Sequence, residues 1–237
     1  MSKINLSIII PVLNESNNIE KLTNRIIKYL KNYKYEIIFV DDNSADNSRA
    51  ILEKLKNEYN FFNPIFRKKK RDLTQSCFDG IKKSKFEFIL IMDGDLQHDP
   101  KYIPKMADLM KNNNDIVIGA RPLVKGPNAG LSETRRLISK ILIYLFSIFK
   151  INTSDPMSGF FMFKKRVYEK NQKHFFGKGF KILADLLINS EKKPKTVDYF
   201  IIFKRRYNDK SKMGFKILMI LVQFYFFSLL KKIKIIS

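Results

Sequence analysis

A single cysteine, Cys77, in 237 residues excludes an internal disulfide framework and a sulfur-ligated metal centre, and it fits a reducing compartment. Acidic side chains are scarce as well. The chain has 23 Asp and Glu against 45 Lys and Arg, a formal net charge of +22. That imbalance attracts polyanions, whether nucleic acid, anionic lipid headgroups or phosphorylated molecules. The abundance of Lys, Ile and Asn along the whole chain offers a purely compositional explanation beside it. No apolar run reaches the roughly 20 residues that span a bilayer. There is no internal repeat, no flexible linker and no signal-peptide pattern. Met1 to Asn5 lead straight into an apolar run, which predicts a domain facing the cytoplasm. What is present is apolar residues at 45%, with 21 phenylalanines, enough for one sizeable folded domain and too many for a disordered chain.

The first half alternates strand-like and helix-like segments. Leu6–Ile10 is an apolar run stopped by Pro11. Ile19, Leu22, Ile26 and Leu30 recur at helical spacing, with Asn17 and Glu20 placed as an N-cap and its reciprocal partner. Glu36–Val40 reads as a second buried strand. Ser48 or Asp46 is positioned to cap a helix carrying Ile51, Leu55 and Tyr59. Phe88–Met92 and Ile116–Ile118 supply further strands, with a helix near 102–111 between them. This rhythm predicts an α/β fold, a mainly parallel sheet covered by helices on both faces.

The second half is different. Leu137–Ile151 carries only Lys140 and Lys150 as charges. Lys216 is the sole charge between Met213 and Leu230, and Lys231 and Lys232 follow. Both segments suit core helices of a soluble domain as well, but Phe224, Tyr225, Phe226 and Phe227 in a row, flanked by lysines, favour a helix lying in a membrane interface for the last one. The expected division is one domain over residues 1–212, including a possible interface helix at 137–151, and a membrane-interface helix at 213–237.

Chemistry concentrates at strand ends. Phe88–Met92 stops abruptly at Asp93 and Asp95, with Gln97 and Asp99 following at the same spacing. Hard oxygen ligands at the carboxyl end of a strand suit Mg²⁺ or Mn²⁺ carrying a phosphate, and open α/β sheets place ligands at that edge. Two more strand-like runs end in acidic loops, at Asn14-Glu15 and at Asp41-Asp42. An aspartyl phosphatase would carry its D-x-D after the first strand. Here the D-x-D comes late and is followed by Leu96. Asp99 before Pro100 reads as an N-cap, and His98 as a packed or solvated neighbour rather than a ligand.

Set in order, PVLNESNN (11–18), VDDNS (40–44), MDGDLQHDP (92–100), GAR (119–121), RRLIS (135–139), DPMSGF (155–160) and FKRRYNDKSK (203–212) resemble the family 2 glycosyltransferases of GT-A fold. Within them, the chain is similar to the dolichyl-phosphate mannose synthases and related polyprenyl-phosphate sugar transferases. The resemblance runs from about residue 8 to about residue 214. It implies that Pro11, Leu13, Glu15, Asp41, Asp42 and Asp93 bind a nucleotide diphosphate sugar, with GDP-mannose favoured. It implies that Asp93, Asp95 and Gln97 hold Mg²⁺ or Mn²⁺, which neutralises charge on the departing nucleotide. Asp95, Arg121, Arg135 and Arg206 become the catalytic candidates.

The resemblance also implies a polyprenyl (dolichyl-type) phosphate acceptor at the cytoplasmic membrane surface and an inverting, in-line displacement. A phosphate nucleophile is already anionic, so no general base is needed, but cations must offset the repulsion between two anions. Arg121, Arg135, Ser139, Arg206 and Lys212 stand at the matching positions, and arginine forks suit phosphate. Asp155 is expected to orient a sugar hydroxyl or one of the arginines, and Gly159 to serve backbone geometry. Two departures stand out. The region 67–80 has only Gly80 where the family is often glycine-rich, leaving Arg71, Gln75 and Asp79 as polar substitutes, and Asp209 replaces a common glycine. The rival readings are a transferase acting on a glycan or other sugar acceptor and a basic nucleic-acid binder. The second lacks an aromatic–basic recognition motif, so no nucleic acid is expected as a partner.

Overall fold

The computed structural model describes residues 4–121, 148–179, 181–202 and 215–233. Along them the chain forms β1 (Leu6–Val12), α1 (Ser16–Tyr29), β2 (Tyr35–Asp41), α2 (Ser48–Glu58), β3 (Ile65–Phe66), α3 (Leu73–Lys83) and β4 (Phe88–Ile91). A 3₁₀ turn (Pro100–Tyr102), α4 (Ile103–Met110), β5 (Ile116–Ala120), β6 (Phe161–Lys164) and α5 (Lys165–Asn171) follow. The last elements are α6 (Ile182–Ile188), β7 (Thr196–Phe200) and α7 (Phe215–Lys232).

The strands join in the order β3-β2-β1-β4-β6-β5-β7. β6 alone among the described strands runs antiparallel to both its neighbours, β4 and β5. The remaining pairs are parallel, which bears out the mainly parallel sheet. Because strand side chains alternate, each apolar run feeds two cores. Ile8, Ile10, Leu90 and Met92 join α1 and α4 on one face. Ile9, Ile38, Ile89 and Ile91 join α3, α5 and α6 on the other. The expected α1 stripe is the observed one: Ile19, Leu22, Ile26 and Leu30 are all fully buried.

Several local readings change in the fold. β1 does not stop at Pro11 but continues to Val12, paired with Val40 and Asp41 of β2. Ile9 accepts from Met92 on the β4 side, and Val12 accepts from Asp42 on the β2 side. The alternation therefore turns the Pro11 nitrogen toward β4, whose pairing with β1 has already ended at Ile91. No ladder bond is lost there, so proline is tolerated. α1 starts at Ser16, and Glu15 at its N-cap makes no capping bond through its side chain. The caps come from the next loop instead: Asp46 Oδ2 accepts from Ser16 N–H and Ser48 Oγ accepts from Glu15 N–H. The Asn17–Glu20 pairing is therefore not the one used. Asp46 Oδ1 also accepts from Ser48 N–H at the start of α2, as expected.

α7 buries one face. Leu221, Phe224 and Ser228 are almost fully covered, against Phe149 and Ala184 among others, while Met219, Val222 and Phe226 face outward. Residues 148–149 form a turn and Lys150 has a φ of 49°, so a helix spanning 137–151 does not extend through its expected end. The rest of that expected helix mostly lies outside the described residues. Among the described residues no helix is long and apolar enough to cross a membrane.

Candidate active site

The carboxyl ends of β1, β2 and β4 meet at one edge of the sheet, and each turns sharply there. The first tight turn after each strand contains a non-glycine residue in the left-handed region: Asn14 (φ 57°), Asn43 (φ 64°) and Leu96 (φ 63°). Asn adopts this conformation at low cost; a leucine does not, so the last turn holds strain in place at the D-x-D. The first two turns are zipped together, with Asn14 N–H donating to Ser44 Oγ and Asn14 Oδ1 accepting from Ala45 N–H.

These turns surround a cavity of about 360 Å³. Pro11, Leu13, Glu15, Asp42, Asp93 and Asp95 all line it, together with Arg71 and Lys181. Its size falls within the range of small-molecule sites. Six of the sequence candidates thus converge on one space. Asp41 sits behind it: this buried carboxylate accepts from Ser44 N–H and shapes the turn. Asp42 is tied down from the far side, accepting from Asp72 N–H at 2.7 Å and from the buried guanidinium of Arg67. Arg67 Nε also reaches Asp79 at 2.9 Å, and Arg71 donates to the Asn43 carbonyl at 2.7 Å. The basic stretch around residue 70 therefore braces the second acidic loop in place of a glycine-rich turn.

At the end of β4, Asp93 N–H donates to Nδ1 of His98, and Gln97 N–H donates to Asp95 Oδ1 at 3.1 Å. His98 is buried and stacked on Phe160, as the packed neighbour expected from sequence. Burial pushes its pKa down to about 4; Asp95 opposes the shift and Arg121 reinforces it. It is a neutral hydrogen-bond acceptor at neutral pH. Asp99 caps the 3₁₀ turn and pairs with Arg25 at 2.6 Å, again as expected. Gln97 belongs to the same turn as Asp95 but is not among the residues lining the cavity.

The donor set at this edge is two carboxylates and an amide, all hard oxygen ligands. No cluster of three His, Cys, Asp or Glu suited to a metal occurs among the described residues. That combination fits Mg²⁺ or Mn²⁺, which use one or two carboxylates plus substrate phosphate oxygens, and not a metal caged by protein alone.

The DPMSGF turn enters from the opposite side. Because β6 is antiparallel, the start of this strand lies at the ligand edge. Gly159 then packs so closely on Asp93 that a Cβ there would lie 2.5 Å from Oδ2. Asp155 grips Arg121 in two places, Nε to Oδ2 at 2.7 Å and Nη2 to Oδ1 at 3.1 Å. These bonds hold Arg121 more firmly in its charged form, although burial opposes them. Asp198 of β7 secures the turn by accepting from Thr153 Oγ1 and from the amide and hydroxyl of Ser154. Arg135, Ser139, Arg206 and Lys212 lie outside the described residues.

Lys181, Asp72, Asp185 and Asp198 were not singled out in the sequence. Asp72 had a local signal, an acidic N-cap three residues before Gln75, whose N–H it accepts. Lys181 and Asp198 had none, since their roles depend on strands and turns far away in the chain. Burial lowers the Lys181 pKa and Arg121 adds to this, while Asp155 and Asp93 pull it back up.

Comparison with known proteins gives a consistent picture. Residues 7–171 match the model of glycosyl transferase family 2. The dolichol-phosphate mannosyltransferase of Pyrococcus furiosus is 36% identical over 211 residues, 88% of this chain and 59% of that protein. The Saccharomyces cerevisiae protein of the same name is 33% identical, over 78% of this chain and 70% of its own. The chain therefore spans about three-fifths to seven-tenths of the length of these relatives. Among solved structures, glucosyl-3-phosphoglycerate synthase of Mycobacterium tuberculosis, crystallised with Mn²⁺ and UDP-glucose, superposes with a TM-score of 0.70 at 14% identity. That match covers 97% of this chain and 79% of the other. Mannosyl-3-phosphoglycerate synthase of Rubrobacter xylanophilus gives 0.69 at 14%, covering 98% and 74%. At such identities the two structures establish the fold, which is GT-A.

Proposed function

Since the chain belongs to glycosyl transferase family 2, we propose that it transfers one hexose, mannose favoured, from a nucleoside diphosphate sugar to a polyprenyl phosphate of the dolichyl type. The carrying observation is the convergence of Asp93 and Asp95 with Pro11, Leu13, Glu15 and Asp42 on one cavity at the sheet edge. The acceptor class is supported by the relatives named dolichol-phosphate mannosyltransferase, and GDP-mannose is the donor that best fits that name.

Glu15 and Asp42 accept hydrogen bonds from the base and ribose, with Pro11 and Leu13 shaping the apolar wall. Asp93, Asp95 and Gln97 hold Mg²⁺ or Mn²⁺, which supplies neutralisation of the diphosphate charge when bound. Arg121, pinned by Asp155, presents a guanidinium beside the D-x-D, and Lys181 adds a second cation to the cavity. Arg135, Ser139, Arg206 and Lys212 complete the lipid-phosphate site. The acceptor is anionic at neutral pH, so these groups bring it to the donor without removing a proton, and the displacement inverts the sugar carbon. The outward face of α7, with Met219, Val222 and Phe226 exposed ahead of Lys231 and Lys232, rests on the cytoplasmic leaflet.

The test is direct. Purified protein, Mn²⁺ or Mg²⁺, a polyprenyl phosphate and a panel of nucleotide sugars are scored for a lipid-linked product. Product is expected from GDP-mannose, lost with EDTA and restored by the metal. Product on a free sugar or glycan, and none on lipid phosphate, would replace this acceptor with the alternative one.

A further inference from the structure

The connection formed by residues 175–179 packs against α3 and α7, and Lys181, just beyond it, lines the cavity. This connection holds two glycines in the left-handed region, Gly177 (φ 68°) and Gly179 (φ 88°), and leads into α6, whose N-cap residue is Lys181. It is gripped on one side by α3. Asp72 Oδ2 accepts from Gly179 N–H at 2.8 Å, Thr74 donates its amide and hydroxyl to the Gly179 carbonyl, and Gln75 Nε2 donates to the Gly177 carbonyl at 2.6 Å. Asp72 in turn donates its own N–H to Asp42. On the other side stands Asp185, a buried carboxylate of α6 that accepts from Phe176 N–H, Gly177 N–H and Asn189 Nδ2.

α7 packs directly on this clamped connection. A Cβ at Gly179 would meet Ile220 Cγ2 at 2.6 Å, so helix and backbone touch with no room for a methyl group. The rings of Phe224 and Phe227 lie 5.8 and 5.4 Å from that of Phe176. Asn189 donates to Ser228 Oγ, and Lys231 Nζ donates to the carbonyls of His174 and Asn189. Packed interiors transmit displacement because they have few voids to absorb it.

We propose that α7 is a positioning element for the donor site: its docked face fixes the 175–179 connection and thereby the place of Lys181 beside Asp93 and Asp155. The ligand whose binding senses this is a nucleoside diphosphate, and the inference rests on the donor reading given above. Phe224 and Ile220 touch no ligand and act only through Lys181.

A double-mutant cycle separates this from a general loss of packing. The full chain is titrated calorimetrically with GDP and, separately, UDP in the presence of Mn²⁺. Lys181→Met is expected to weaken binding about tenfold, the scale of one charge-assisted hydrogen bond to phosphate. Phe224→Ala is expected to weaken it about threefold, and the double variant no more than Lys181→Met alone. Ile220→Ala, which removes the Cγ2 abutting Gly179 together with Cγ1 and Cδ1, repeats the cycle should Phe224→Ala fail to fold. Multiplying losses in the double variant, or wild-type affinity in both α7 variants, overturns the inference while leaving the donor reading intact. Failure of the wild-type protein to bind either nucleotide overturns both.

Discussion

Gly159→Ala isolates the geometry of the D-x-D from the stability of the fold. The new methyl group would lie 2.5 Å from Asp93 Oδ2 and 3.0 Å from both Cγ and Oδ1, roughly 1 Å inside ordinary contact. The Gly159 backbone is not in the left-handed region, so alanine is unstrained there, and the substitution by itself stabilises by about 0.4–1 kcal/mol through the unfolded chain. The Asp93 side chain is 38% exposed and yields toward solvent more easily than the β6 backbone does. The fold therefore survives with a stability change within about 1 kcal/mol, a shift of roughly 2–4 °C in Tm for a chain of this length. On the proposed reading, the carboxylate then sits about 1 Å from where it would hold a metal and diphosphate. A displacement of that size costs on the order of 10² in rate, or about 2.7 kcal/mol of transition-state stabilisation. The assay is the initial rate of lipid-linked sugar formation across a Mn²⁺ titration, beside a thermal melt. A rate within threefold of wild type, or a rate loss accompanied by a Tm fall beyond about 8 °C, would refute the reasoning.

Asp95→Ala removes one of the two D-x-D carboxylates lining the cavity and should lower transfer by about 10²–10³, unrecovered by raising Mn²⁺ tenfold. Asp155→Asn loosens the fork on Arg121 and should raise the KM for the lipid phosphate about tenfold with kcat less affected, measured by varying acceptor at saturating donor. Arg67→Met leaves Asp42 buried without its cation and should cost about 3–5 kcal/mol in urea denaturation. Asp46 is expected to set an acid limit. Burial raises its pKa, but hydrogen bonds from Ser48 and Ser16 outweigh this and draw it down to about 2, below its ordinary 3.8. Its folded-state pKa is depressed, so its stabilisation is complete above pH 3.8 and is lost as pH falls toward 2. Asp46→Ala should cost about 1 kcal/mol at pH 7 and markedly less at pH 2, checked by denaturant midpoints at both.

The convergence of the three strand ends on one edge was legible in the sequence. Runs such as Ile8–Ile10 and Phe88–Met92 state their burial in their composition, and residues at their carboxyl ends share an edge by the geometry of parallel sheets alone. That geometry put the three acidic loops on one edge before any coordinates, and the family resemblance singled out Pro11, Leu13, Glu15, Asp41, Asp42, Asp93 and Asp95 within them, of which all but Asp41 line the cavity. The misreadings share a cause. Asn17 and Glu20 had the local pattern of a capping box, but α1 starts at Ser16, and Asp46 and Ser48 from the neighbouring loop accept from the Ser16 and Glu15 amides there. Pro11 had the pattern of a strand stop, yet β4 turns away at that level and leaves no carbonyl seeking its missing N–H. Lys181 and Asp198 are invisible along the chain because their partners lie on other elements, and a lysine or aspartate there has no periodicity to mark it.

The reversed direction of β6 has a consequence for how the chain is closed at the ligand edge. A parallel strand offers a ligand edge only the loop that leaves it, whereas an antiparallel one offers the loop that arrives. The chain departs from the edge at Arg121, at the end of β5, and comes home to the same edge at Asp155. The two ends are fastened by the Arg121–Asp155 fork, and Gly119 N–H donates to the Phe160 carbonyl at 2.8 Å close by. Doubling the length of a connection closed at its base in this way costs only about 0.6 kcal/mol more in closure entropy. The Arg121–Asp155 fork and the Gly119–Phe160 bond hold the base of this connection whatever length of chain it closes, so that length can change without altering the edge of the sheet to which both ends are fastened.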